Sequence, residues 1–225
     1  MRTGTAQRVF TDRAAAGAAL ARALGEQTPD APVLVLGLPR GGVAVAREVA
    51  TALHAPLDVL VVRKIALAHD PEFAIGAAAS GGIVLWDAHR GAHRGAHRGE
   101  AVEAARAAAV REIERRERLY RPGRAPLDLR GKEVILVDDG LATGATMLAA
   151  IRAARQAGAA RIIAAVPVGS PQAAERVRAA ADLLVILSTP AALFAVGEWY
   201  ERFEQLEDAE VCRLLGLEGP KGTPR

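Results

Sequence analysis

Short apolar runs separated by longer amphipathic or alanine-rich stretches make up most of the chain. The runs rich in Val, Ile and Leu predict buried strands at Val33–Leu36, Leu57–Val62, Val134–Val137, Ile162–Val166 and Leu183–Leu187, with a shorter one at Ile83–Trp86. Asp12 stands where an N-cap would open a helix reaching Ala23, and Val43–Leu53 returns to helical spacing. In Glu100–Tyr120 the apolar residues Val102, Ala105, Ala109 and Ile113 recur at intervals of three and four, which is one face of a long helix. A helix over 145–157 ends at Gly158, and another begins near Pro171. Residues 65–82 are small and turn-rich and predict a mobile loop or a hairpin, while RPGRAPLDLRGK (121–132) is a connector. The tail holds Trp199, Tyr200 and Phe203, three of only eight aromatic residues, and is expected to pack back on the body.

Strands that are apolar on both faces and alternate with helices imply an α/β protein with a mostly parallel sheet covered on either side. Right-handed crossovers then place every strand-to-helix loop along one sheet edge, where open α/β sheets bind ligands. Three loops qualify: those after Leu36, Val62 and Val137.

Composition narrows the class. The 225 residues are 51% hydrophobic and 24% charged, which excludes a disordered or collagen-like chain. Aromatics at 4% leave the core to Ala, Val, Leu and Ile. No apolar run approaches the roughly 20 residues of a membrane span, and the basic N-terminus lacks the apolar segment of a secretory signal. The single Cys212 excludes an intrachain disulfide, suits a reducing compartment and reads as an inert residue of a C-terminal helix. A cytoplasmic protein with no membrane partner is the expectation.

Net charge is only +3, from 29 Lys+Arg against 26 Asp+Glu. Residues 87–124 are the basic exception, with ten Arg against six acids. Both signs are mixed along REIERRER, the pattern of a solvated, salt-bridged helix face, so nucleic-acid binding is not the expectation. AHRG occurs three times in tandem over 88–99. A helix there would stack His89, His93 and His97 at a metal-ligand spacing. Three glycines in twelve residues oppose that helix at about 1 kcal/mol each, so a duplicated surface loop is expected instead.

The candidate chemistry lies in VILVDDGLATGATM, Val134–Met147. A buried strand ends in Asp138 and Asp139, a Gly/Ala/Thr loop follows, and a helix starts at once. A helix N-terminus offers free N–H groups and a positive dipole end, both suited to phosphate. Gly140 and Gly144 allow close approach of the backbone, and Thr143 and Thr146 supply hydroxyls. Two adjacent carboxylates can accept hydrogen bonds from vicinal hydroxyls such as those of a ribose. No lysine follows Gly144 as a Walker loop requires, and no GxGxxG follows a strand.

This segment resembles the phosphoribosyl-pyrophosphate (PRPP) motif of type I phosphoribosyltransferases: apolar strand, two acids, a small loop and Thr-Gly. LGLPRGGVAVA (36–46) is similar to the family's pyrophosphate loop, and VVRKI (61–65) with PEFAIGA resembles a subgroup of mostly uncharacterised bacterial members. The resemblance spans roughly residues 10–200 and implies the type I phosphoribosyltransferase fold, one domain over 1–225 with a small hood built from 65–100 and 190–217. It implies catalytic roles for Asp138, Asp139, Arg40 and Lys64, with the acids on the ribose hydroxyls and in contact, directly or through water, with Mg²⁺. Ala142, Thr143, Gly144, Ala145 and Thr146 would cradle the 5-phosphate. Pro39, Arg40, Gly41, Arg63 and Lys64 would hold pyrophosphate, partly through a strained peptide in LPRGG. Residues 66–82 would close over the site. For the unidentified acceptor, Phe73, Trp199 and Tyr200 are the candidates, with Phe203 and Trp86 beside them. The implied activity is Mg²⁺-dependent transfer of 5-phosphoribosyl from PRPP to a nitrogen nucleophile such as a nucleobase, with release of pyrophosphate, by an enzyme of nucleotide metabolism and a possible homodimer. The alternative is a PRPP-sensing regulator that binds nucleic acid or a partner protein.

Overall fold

Asp12 caps the first helix as its position predicts: its Oδ1 accepts a hydrogen bond from the Ala15 N–H at 2.9 Å. In the computed structural model, residues 9–26, 33–67, 70–86 and 99–217 are described, without the side chains of 70–74. The AHRG repeat lies outside the described residues apart from its last glycine, Gly99, which precedes a helix.

Among the described residues six α-helices form: α1 (Arg13–Gly25), α2 (Gly41–Ala52), α3 (Glu100–Tyr120), α4 (Ala145–Gln156), α5 (Pro171–Ala180) and α6 (Asp208–Leu214). The strands are β1 (Val33–Gly37), β2 (Leu57–Val59), β3 (Val62–Leu67), β4 (Asp70–Ala79), β5 (Ile83–Trp86), β6 (Glu133–Val137), β7 (Arg161–Val168) and β8 (Leu183–Ser188). Five of these make the central sheet in the order β2-β1-β6-β7-β8, and every pairing in it is parallel. The expected architecture, a parallel sheet flanked by helices, is the one formed.

The apolar run of β6 serves both faces of that sheet. Ile135 and Val137 pack with Leu20, Leu24, Val45 and Val49 of α1 and α2. Val134 and Leu136 point the other way, toward Met147, Ala150 and Ile151 of α4 and Val177 of α5. All four β6 side chains are fully buried, and each contributes roughly 1.5–3 kcal/mol by leaving water. The strand is therefore held rigidly up to its last residue, directly before the two acids.

The run Leu57–Val62 departs from the single strand predicted for it. Only Leu57–Val59 joins the central sheet. The Leu60 N–H then donates to the Gly37 carbonyl at 3.2 Å, and Val61 exchanges hydrogen bonds with Ser80, whose backbone N–H and side-chain Oγ both serve it. That pairing turns the chain into a second, antiparallel sheet of order β3-β4-β5. Of the two readings of 65–82, the hairpin is the one observed. One face of it packs with Val102, Ala109, Ile113 and Tyr120 of α3 and Val211 of α6. Among the described residues no helix is long and apolar enough to cross a membrane.

Candidate active site

The C-terminal ends of β1 and β6 lie side by side, in register from Val33↔Glu133 to Gly37↔Val137. The loops that leave them are joined at once, because the Leu38 N–H donates to the Val137 carbonyl at 2.9 Å. The first turn of α2 rests against the acids: a Cβ on Gly41 would collide with Asp139 Oδ2, and one on Gly42 would fall 2.8 Å from the Asp138 Cα. Glycine at 41 is thus a requirement of contact between the two loops. The peptide joining Pro39 and Arg40 is cis. The backbone N–H groups of Arg40 and Gly41 donate to nothing among the described residues, which leaves them open at a helix N-terminus.

Each acid has one oxygen committed to the protein. Asp138 Oδ1 accepts from the Asp139 N–H at 2.9 Å. Asp139 Oδ2 accepts from Arg13 Nε, also at 2.9 Å, in a pair with side chains only 11% and 17% exposed. Burial raises the Asp138 carboxyl well above its ordinary range, and the neighbouring Asp139 charge adds to the shift. Asp139 is raised by burial too, against the opposing pull of Arg13. The Tyr200 hydroxyl donates to the Asp139 carbonyl at 2.7 Å, and burial, with the acids nearby, pushes the phenol up so that it stays a donor.

The following loop encloses a cavity of about 150 Å³ lined by Asp138, residues 140–147 and Val196. Leu141, Gly144 and Met147 anchor it in the interior, while Ala142, Thr143, Ala145 and Thr146 are exposed. Gly144 has φ +72°, a conformation that glycine adopts without a Cβ penalty. The loop's carbonyls are held from outside: Ser170 Oγ donates to Ala142 O at 2.8 Å, and the Arg176 guanidinium donates to Thr143 O. Thr143 Oγ1 accepts from the Ala145 N–H at 3.4 Å. The N–H groups of Gly144, Thr146 and Met147 donate to nothing among the described residues. Carbonyls turned outward and N–H groups left open at the start of α4 make a cradle for an anion. A larger hollow of about 270 Å³ near Leu60, Ser80 and Gln156 lies apart from this edge, and its charged residues Asp128 and Arg130 pair with each other.

Of the residues singled out from sequence, Pro39, Arg40, Gly41, Asp138, Asp139 and 142–146 converge here. Arg40 faces Glu207, with Nη1 3.8 Å from its carboxylate. Arg63 and Lys64 are exposed on β3, which starts just beyond the C-terminal end of β2. Phe73 falls in β4, but its side chain lies outside the described residues. Two acceptor candidates are corrected. Trp199 is 4% exposed in a core cluster with Phe10, Ala16, Ala19 and Val168, so it has no face for a ligand. Tyr200, 6% exposed, packs between Phe10 and Phe203 and supports the Asp139 backbone instead.

Arg13, Ser170, Arg176, Val196 and Phe194 escaped the sequence reading. Phe194 is 87% exposed, two residues before the cavity-lining Val196. For Arg13 a signal existed: a cation at the first position of a helix opposes the helix dipole, so something else must hold it there.

The phosphoribosyl transferase domain model matches residues 10–200. A Mycobacterium tuberculosis protein named "putative phosphoribosyl transferase", found in two strains, is 45% identical over 210 residues, or 92% of this chain and 46% of that protein. The chain thus spans about half the length of the curated relatives it matches. The crystal structure of TT1426 from Thermus thermophilus superposes with a TM-score of 0.80 at 42% identity, covering 92% of this chain and 97% of that one. With the strand, the acid pair and the Thr-Gly loop all inside the matched span, the chain belongs to the phosphoribosyl transferase domain family.

Proposed function

We propose that the protein is a Mg²⁺-dependent phosphoribosyltransferase that uses PRPP. The observation carrying this reading is the junction of three elements at one sheet edge: an open helix start at Arg40–Gly41, two acids with one committed oxygen each, and a cradle of free N–H groups at 144–147. The acids stand between the other two, with Asp138 lining the cradle's cavity and Asp139 against Gly41, and this is the order of groups in PRPP. Residues 142–146 take the 5-phosphate, Asp138 and Asp139 the ribose hydroxyls, and Arg40 with the α2 N-terminus the pyrophosphate. Lys64 and Arg63 add positive charge from β3.

A nitrogen lone pair of the acceptor forms a bond to the anomeric carbon as the bond from that carbon to pyrophosphate oxygen breaks. Positive charge develops on the sugar ring, and a carboxylate about 5 Å away stabilises it by roughly 3 kcal/mol at an effective dielectric near 20. This contribution accelerates the step because the charge is absent in the ground state. Mg²⁺, when bound, offsets the charge of the departing pyrophosphate. The donor set fits a metal carried largely by the substrate: Asp138 and Asp139 each present one oxygen, and no three carboxylate, His or Cys side chains converge among the described residues. Among the described side chains, Phe194 is the exposed ring available to an acceptor base. The regulator reading is weakened on α3 and the turn after it, because five of their seven arginines, Arg106, Arg115, Arg116, Arg121 and Arg124, are engaged by acids of the chain, which leaves Arg111 and Arg118.

The test is release of pyrophosphate from PRPP on addition of a panel of free nucleobases and related heterocycles. Acceptor-dependent release by wild type, and release slower by about a hundred-fold from Asp139→Asn, is expected. Binding of PRPP with no release from any acceptor would sink the enzyme reading.

A further inference from the structure

We infer that Arg13 is the positioning residue that makes Asp139 competent to bind the sugar; this rests on the proposed PRPP reading. Asp139 Oδ2 is enclosed on two sides, by Arg13 Nε at 2.9 Å and by the Gly41 backbone, which leaves no room even for a Cβ. That oxygen is already engaged within the protein. Asp138 Oδ1 is likewise turned inward to the Asp139 N–H. The pair therefore presents two oxygens, Asp138 Oδ2 and Asp139 Oδ1, neither of which is hydrogen-bonded among the described residues. Two acceptors side by side match the two hydroxyls of a vicinal diol.

What fixes Asp139 in that orientation is a guanidinium that is itself held on two further sides. Arg13 Nη1 donates to the Glu204 carbonyl at 2.9 Å, and its Cζ lies 3.8 Å from the centre of the Phe203 ring. Phe203 in turn packs on Tyr200, which donates to the Asp139 carbonyl. The segment 199–204 is tied to the start of α1 by backbone bonds from Phe10 to Trp199 and from Glu201 and Arg202 back to Phe10 and Thr11. The cation thus stands at a helix start that disfavours it because these contacts outweigh the dipole. Without Arg13 the Asp139 carboxylate is free to rotate, and both its oxygens compete for one place.

The experiment compares calorimetric binding of PRPP and of inorganic pyrophosphate, both with Mg²⁺, to wild type, Arg13→Gln, Arg13→Lys and Phe203→Leu. Arg13→Gln is expected to weaken PRPP about ten-fold or more, with Arg13→Lys recovering most of that loss. Inorganic pyrophosphate, which has no diol, is expected to lose distinctly less affinity than PRPP in each of the three variants. Phe203→Leu, which leaves the ion pair intact but removes its support, is expected to weaken PRPP about three-fold, and it carries the test should Arg13→Gln fail to fold. Unchanged or tighter PRPP binding by Arg13→Gln, or an equal loss of both ligands, would overturn the positioning role while leaving the PRPP reading intact. Failure of wild type to bind PRPP would overturn that reading and this inference with it.

Discussion

Asp138 and Asp139 bring two like charges into a space crowded by the first turn of α2, and among the described residues only Asp139 has a cation paired with it. Folding therefore works against the ionised Asp138: its carboxyl is raised by burial and by Asp139, so the folded protein holds that proton more tightly than the unfolded chain does. The sign is fixed by linkage. Above its raised value the carboxylate costs stability, and the cost is relieved as pH falls toward the ordinary carboxylate pKa of about 3.9. Asp138→Asn is accordingly expected to melt higher than wild type at neutral pH, by about 2–4 °C for each kcal/mol recovered, with the gain shrinking as pH is lowered. Thermal melts across that range check it, and a lower melting point at neutral pH would contradict it. Asp139→Asn is a different case, since under the proposed mechanism it loses the charge near the developing cation. It is expected to reduce turnover about a hundred-fold, the equivalent of roughly 3 kcal/mol, in a protein that still folds. Pyrophosphate release by the purified variant measures this.

Most elements were legible because their periodicities are local. The α3 face of Val102, Ala109 and Ile113 and the run before Asp138 needed no partner to be read. The division of Leu57–Val62 between two sheets was not, because the residue that turns the chain, Ser80, is 19 positions away from Val61. Arg13 was missed for the same reason: its carboxylate partner is 126 residues distant. Trp199 and Tyr200 were legible as aromatics of a tail that packs back, but composition does not say which ring is buried and which faces a ligand. Ser80 now yields a prediction at this scale. Ser80→Ala leaves the buried Val61 N–H without its side-chain acceptor and is expected to cost about 1–3 kcal/mol in chemical denaturation. PRPP binding should change little, because the acids and the 142–146 cradle follow β6, a strand of the other sheet. A variant as stable as wild type would show that Ser80 does not direct the sheet change.

Across the molecule, the site is assembled where segments from both halves of the chain meet one edge of the parallel sheet. β1 supplies the Arg40 loop, β6 the acids, and the tail closes over both: Val196 at the cavity, Tyr200 and Glu204 around Asp139 and Arg13, and Glu207 beside Arg40. Such an arrangement suits one ligand with three anionic or polar groups in series, which we propose is PRPP. The direct test is calorimetric titration of PRPP into the wild-type protein with and without Mg²⁺, alongside the double variant Asp138→Asn/Asp139→Asn. The account predicts magnesium-dependent binding by wild type that is lost in a double variant whose thermal melt shows it folded. Absence of binding by well-folded wild type, or equal binding by the double variant, would contradict it.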